Sequence, residues 1–546
     1  MSGRTTLSKL DRVLLVNGVI HTLDARGTVA DALLVQGGRV AFVGRRADVN
    51  PPAGAPVLDL GGRTVTPGLV DAHGHLSYLA LGSFTLDLTG RRSEEEGAAL
   101  VAEAAAGRPA GEWILGRGWD QNLWPGGRFP SRASLDRAAP RHPVALSRID
   151  GHAAWVNGAA LAAAGVDRAT ADPYGGLVVR DARGEPTGLL VDTAERLVHR
   201  VVPPPSEGAF DRAVEAAIAR CLAAGLTGVH EMGADHHALA AYRRLVERGR
   251  FPFRNYVAVA GASEATWAEW RERGPARIGD GQVVGGALKL LADGALGSRG
   301  AALCAPYADE PGTAGLLLYP PEELRRLTGE GLARGFQVCV HAIGDRANAL
   351  VLDTYEAALA AVPWPAGVDP RDHRCRVEHA QVLRPEDVPR FARLGVLPSM
   401  QPAHCTSDMD WAPARLGPER VGGAYAWRSL LATGTIIAGG SDFPVEDVSP
   451  FHGIHAAVTR RPRGGDDPGW QPGQRMTRPE AVRAFTAWNA VASRQEAELG
   501  TLEPGKRADL VALSEDVFTC PDDRLAAIVP ALTMVGGRIV FERPAP

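Results

Sequence analysis

Histidine and aspartate recur at matching places along this chain, with a spacing that suits a metal ion. Val70-Asp71-Ala72-His73-Gly74-His75 puts two imidazoles two residues apart at the end of an apolar run. Side chains two apart on a strand point the same way, so His73 and His75 converge on one point. Val338-Cys339-Val340 leads into His341, Arg376-Val377-Glu378 into His379, and Ile436-Ile437-Ala438-Gly439-Gly440-Ser441 into Asp442. Neutral imidazole serves Zn²⁺, Mn²⁺, Fe²⁺ or Ni²⁺, and Asp71 is a nearby carboxylate of the kind that orients a ligating ring. An HxH alone could equally be two surface histidines in a loop. Three histidine sites and an aspartate, each closing an apolar strand, favour a functional metal site.

The positioning elements follow from the pattern. Eight candidate strands read at 68–73, 226–231, 253–259, 287–291, 337–341, 376–379, 396–400 and 435–439, with helical stretches such as 321–334 and 384–394 between several of them. Such alternation is the mark of a parallel α/β domain. Eight strand–helix units point to a barrel whose site gathers at the C-terminal strand ends, although an open sheet with extra strands would read similarly. Both ends of the chain carry short β-type runs broken by glycine pairs, and their matching texture predicts one small sheet domain. Roughly 150 residues separate the first two strands, far beyond a usual connection, so an insertion covers one side of the barrel mouth. The expected architecture is α/β: a (β/α)₈ TIM-like barrel over 66–489, a β-sandwich domain from 1–65 and 490–546, and an inserted α+β subdomain over about 86–205.

A net charge of −4 gives no reason to expect nucleic acid or an anionic membrane as partner. No run of 18 apolar residues occurs, and the short apolar run Val13 to Val16, cut off by Asn17 and Gly18, does not read as a secretory signal. The six scattered cysteines form no CxxC pair and read as reduced thiols. These features predict a cytoplasmic enzyme acting on a small molecule, with homo-oligomerisation common for its size.

Together, the HxH, the two later histidines and the aspartate resemble the amidohydrolase superfamily. Val65-Thr66-Pro67-Gly68-Leu69 ahead of the HxH, and the tail Gly500-Thr501-Leu502-Glu503-Pro504-Gly505-Lys506-Arg507-Ala508-Asp509-Leu510-Val511, extend the resemblance across nearly the whole chain. Asp150-Gly151-His152-Ala153-Ala154-Trp155-Val156-Asn157, Lys289 to Arg299 and His341-Ala342-Ile343-Gly344-Asp345 look like the amidohydrolase-3 branch, which includes N-substituted formamide deformylases. The resemblance implies one or two divalent ions, zinc foremost, on His73, His75, Lys289, His341, His379 and Asp442, with Lys289 N6-carboxylated where two ions are held. Apolar neighbours of Lys289 favour the neutral amine that reacts with CO₂; the alternative is an unmodified lysine paired with Asp293 or another acid.

The implied reaction is hydrolysis of an amide or N-formyl C–N bond by a metal-activated water, with Asp442 as the proton carrier. A deaminase, an ester or phosphoester hydrolase of the same superfamily, or a non-catalytic binding barrel are the alternatives. His152, Arg299 and His404 are candidate substrate contacts, each with a structural alternative. His230-Glu231 is placed to support the ligands from behind, Trp113, Trp119 and Trp124 to pack the insertion, and His236-His237 at the surface.

Overall fold

The computed structural model describes residues 12–50, 53–363, 372–465 and 468–544; the first eleven residues of the expected N-terminal domain lie outside them. At its centre stand eight parallel strands: β1 (Leu69–Gly74), β2 (Leu226–Ala234), β3 (Arg254–Ala260), β4 (Val283–Leu291), β5 (Gln337–Ala342), β6 (Arg376–His379), β7 (Leu397–Met400) and β8 (Ala438–Gly439). They pair in sequence order from β1 to β8, and a short antiparallel strand, Ala276–Ile278, joins β4. Strand alternation explains the layering. On β5, Val338 and Val340 face the surrounding helices, whereas Cys339 joins Met232, Tyr256, Ala258 and Ala287 inside the ring.

The sheet is nearly closed, and side chains stitch its seam. Asn489 Nδ2 donates to Val70 O of β1 (2.7 Å) and to Gly439 O of β8 (2.9 Å). Asp71 accepts from Ser441 N and Ser441 Oγ at 3.0 and 2.6 Å, and from His73 N at 3.0 Å. This seam shortens the last strand: residues 435–437, expected to be extended in the sheet, carry no ladder and only Ala438–Gly439 pairs with β7.

A second sheet draws on both ends of the chain. Its order runs Arg538–Glu542, Pro530–Val535, Leu510–Leu513, Thr64–Pro67, Arg12–His21, Val29–Gln36, Arg39–Gly44, with Val57–Asp59 beside Arg12–His21. Hydrogen bonds link its strands in one continuous path. Val13, Leu15 and Val35 of one arm share a core with Leu510, Ala512 and Met534 of the other, while Leu14 and Val16, on the opposite face, pack with Leu34 and Val49. Thr64–Pro67 runs directly into β1, and the buried Arg254–Asp509 ion pair ties the sheet to β3.

Between β1 and β2 lies the third sheet, ordered Gly176–Arg180, Pro186–Asp192, Ala153–Val156, Val144–Arg148, Ile114–Trp119, Leu86–Asp87. Helices Glu94–Ala106, Arg132–Ala138 and Gly158–Ala164 complete this mixed unit. No helix among the described residues is long and apolar enough to cross a membrane.

Asn489 is fully buried, so Asn489→Ala strands two carbonyls at the seam. The expected loss is about 1–3 kcal/mol of stability, read as a lower thermal midpoint; an unchanged midpoint assigns seam closure to Asp71 alone.

Candidate metal centre

Each ligand-type side chain arrives at a C-terminal strand end. β1 delivers His73, and His75 stands immediately before the helix Leu76–Leu81 that follows. Glu231, near the end of β2, holds that helix start by accepting from Leu76 N (2.6 Å), Ser77 N (3.1 Å) and Ser77 Oγ (2.6 Å). β5 delivers His341. On β6, Arg376 and Glu378 point into the barrel, so strict alternation would turn His379 away. A positive φ of 73° at His379 instead folds its ring back over the barrel mouth, and Asp442, at φ 62°, is set in the same backbone region. Non-glycine residues held there carry strain that concentrates at functional sites.

His73, His379 and Asp442, all buried, place one ligand atom each within 4.8 Å of one another. The His73 and His379 ring centroids are 4.7 Å apart, and those of His341 and His379 4.5 Å. Asp442 Oδ1 lies 3.6 Å from His73 Nε2 and 2.9 Å from His75 Nε2. Neither approach has hydrogen-bond geometry, so this buried oxygen accepts no hydrogen bond.

The second nitrogen of each ring is already taken. His73 Nδ1 donates to Glu378 Oε2 at 2.6 Å, and His379 Nδ1 to Gln401 Oε1 at 2.8 Å. Each bond fixes the tautomer and leaves Nε2 as the lone pair facing the cluster. His341 is turned the other way: its Nε2 lies 3.3 Å from Gly294 O, leaving Nδ1 available. Burial, then the neighbouring Lys289 charge, pushes His73 down to about 4. Burial likewise holds His341 and His379 well below the usual histidine range. All three are therefore neutral at pH 7. Asp442 behaves oppositely: burial would raise its carboxyl, but the imidazoles gathered around it, His73, His404 and His75, outweigh that and keep it well below the usual carboxylate range.

Lys289 is buried, and burial lowers its amine from the usual lysine value. The alternative pairing with Asp293 is not made. Asp293 accepts from the backbone of Ile343 (3.0 Å), Gly344 (2.8 Å) and Ala302 (2.8 Å), and orders the loop after β5.

Around this core the other expected residues divide. His404 reaches the site, with Nε2 3.4 Å from Asp442 Oδ2 and Nδ1 3.2 Å from Glu446 Oε1. Its ring sits 6.2 Å from that of His379. His152 also reaches it from the inserted segment; its ring centroid is 5.1 Å from that of His341, and Asp192 accepts from its Nδ1 at 2.7 Å. Arg299 is engaged elsewhere, pairing with Asp309 at 3.0 Å to tie down its own loop. Asp71 orients no ring, because its carboxylate is used at the barrel seam. His230 accepts from Arg376 Nη1 at 2.9 Å beneath the cluster. Trp119 and Trp124 pack together, with Trp155 in place of Trp113, which belongs to a different core. Asn157 accepts from Ala160 N at 3.0 Å and caps a helix. His236 and His237 are exposed.

Two residues escaped sequence reasoning. Glu378 enters the sequence reading only within the run into His379, and nothing in residue type singles out Gln401. The spacing of Arg376 and Glu378 was a usable signal: two opposite charges two apart on an apolar strand share a face and need each other when buried. Arg376 Nη2 donates to Glu378 Oε2 at 2.8 Å, and both are fully buried.

Neutral imidazoles with fixed tautomers and an anionic oxygen lacking a donor are what a divalent cation takes as ligands. Comparison with known proteins agrees. The chain is 35% identical over 536 residues to YtcJ of Bacillus subtilis, covering 96% of this chain and 98% of that protein. It is 30% identical over 558 residues to the N-substituted formamide deformylase of Arthrobacter pascens, covering 98% and 99%. A solved structure of an uncharacterized metal-dependent hydrolase from Pyrococcus horikoshii superposes with a TM-score of 0.75 at 27% identity, over 94% of this chain and 99% of that one. Residues 56–541 match the amidohydrolase family, and the chain belongs to that family.

Proposed function

We propose that this hydrolase cleaves a C–N bond of amide or N-formyl type in a small molecule. The observation that carries the reading is Asp442 Oδ1, buried and without a hydrogen-bond donor, beside two neutral imidazoles whose rear nitrogens are occupied. The C–N assignment draws support from the likeness to the formamide deformylase.

His73, His75, His341, His379 and Asp442 would hold one divalent ion, zinc foremost, and a carboxylated Lys289 would add a ligand where a second is held. A bound ion lowers the pKa of a coordinated water from 15.7 to about 7 and polarises the carbonyl to be cleaved. The chain's own groups do the rest. Glu378 and Gln401 hold two rings in one tautomer, so no proton has to move before ligation. Asp442 accepts the proton of the attacking water on its carboxylate and returns it to the leaving nitrogen, and His404 Nε2 steadies Oδ2 throughout.

Metal analysis of purified protein, with a panel of N-formyl and N-acyl amines, tests this directly. Chelation is expected to abolish turnover and added zinc to restore it. Asp442→Asn is expected to lower kcat by at least about 10²-fold, the lower end of what a positioned proton carrier contributes, with the circular dichroism spectrum unchanged; near-normal turnover defeats the assignment. Metal content of two per chain, falling to one in Lys289→Ala, is the result expected of a carboxylated lysine.

Gln401→Leu removes the acceptor behind His379 without adding charge. Metal affinity in a competition titration is expected to fall by about 10–100-fold. Unaltered affinity removes His379 from the ligand set.

A further inference from the structure

A cavity of about 570 Å³ opens between the inserted segment and the barrel, lined among others by Tyr174, Arg196, Arg200, Leu291, Leu318 and Tyr319. Its volume lies within the range of small-molecule sites. None of the clustered histidines lines it, yet it abuts them. Leu291 closes β4 two residues beyond Lys289, on the same face of the strand, and its partner in the β4–β5 ladder is His341. Adjacent strands run about 4.8 Å apart, so Leu291, in the cavity wall, lies one strand spacing from His341.

Its walls are fixed. Gly175 sits at φ 71°, where an added Cβ would stand 2.7 Å from Leu318 Cα, so inserted segment and barrel meet backbone to backbone. Thr193 Oγ1 donates to Tyr174 O at 2.7 Å and holds the aromatic rim.

The charges in it are unbalanced. Arg196 and Arg200 stand four apart on one helical turn and both line the cavity. Among the described residues neither forms an ion pair, whereas Arg148, Arg376 and Arg415 each hold a carboxylate. Arg196 lies near the Tyr319 hydroxyl and the buried Glu195 carboxyl, and Arg200 Nη2 donates to Ala164 O at 3.4 Å. Two guanidinium forks with donors to spare, set between tyrosines and leucines, match an oxyanion carried on an apolar body.

We propose that this cavity binds a carboxylate borne on an apolar or aromatic chain, and that it selects acyl- or formyl-amine substrates carrying that carboxylate away from the scissile bond. The second half rests on the hydrolase reading above; the first does not.

Calorimetric titration of the metal-loaded enzyme with 4-phenylbutyrate and with 4-phenylbutyramide tests the site. The acid is expected to bind at least about tenfold more tightly than the amide, a margin matching one charge-assisted contact. Arg196→Gln/Arg200→Gln is expected to erase that preference, and Arg200→Lys to keep part of it, because charge survives while the fork is lost. A carboxylate bound on the metal would ignore these substitutions, so equal affinity in wild type and double variant overturns the proposal. Matched N-formyl amines, one ending in a carboxylate and one in its methyl ester, test the selection. Equal kcat/KM for the two in wild type overturns the substrate class. Binding that persists while no acyl- or formyl-amine is hydrolysed leaves the cavity standing and sinks the hydrolase reading instead.

Discussion

A single buried hydrogen bond, from His73 Nδ1 to Glu378, organises the centre of this molecule. Glu378 could not remain ionised inside the barrel without Arg376, and Arg376 could not remain there without acceptors. The same guanidinium therefore donates to Glu378 Oε2, Ala72 O and Ser399 Oγ and approaches His230. Removing one partner from such a pair typically costs about 3–5 kcal/mol, because the other charge is left uncompensated. The gain is directional: the ring above presents one lone pair toward Asp442 and His379. A charged pair in the barrel floor is thereby converted into a neutral, oriented base at its mouth.

The barrel supplies the stiffness this requires. Side chains from β1, β5, β6 and the loop after β8 meet only if the sheet closes, and the closing contacts come from Asp71 and Asn489. Asp71 bonds the backbone of both His73 and Ser441, so the carboxylate that closes the seam also spaces two of the three clustered residues. Fold and site share atoms at that point.

Much of this was legible in the sequence because strand alternation is strict. Apolar runs ending in His73, His341, His379 and Asp442 announced both the barrel and the place of its chemistry, and all eight strands were visible as runs. What was not legible depends on departures from regularity. The left-handed turn at His379, which lets Glu378 and His379 both serve the interior, has no signature in residue type. The shortness of β8 follows from side chains replacing a ladder, which periodicity cannot register. Asp71, beside the HxH, suggested a ring partner; folding gave that role to Glu378, three hundred residues away in sequence. Arg299 looked available until Asp309 arrived from its own loop.

The sheet built from both ends of the chain sets the order in which the molecule can be made. Thr64–Pro67, the strand leading into β1, pairs on one side with Arg12–His21 and on the other with Leu510–Leu513, far later in the chain. Until Leu510–Leu513 has been made, the side of Thr64–Pro67 that it covers stays unpaired, and the seam must wait for Asn489. Assembly is therefore bound to the making of those later strands: a polypeptide that stops short of them forfeits the clasp holding the earlier ones.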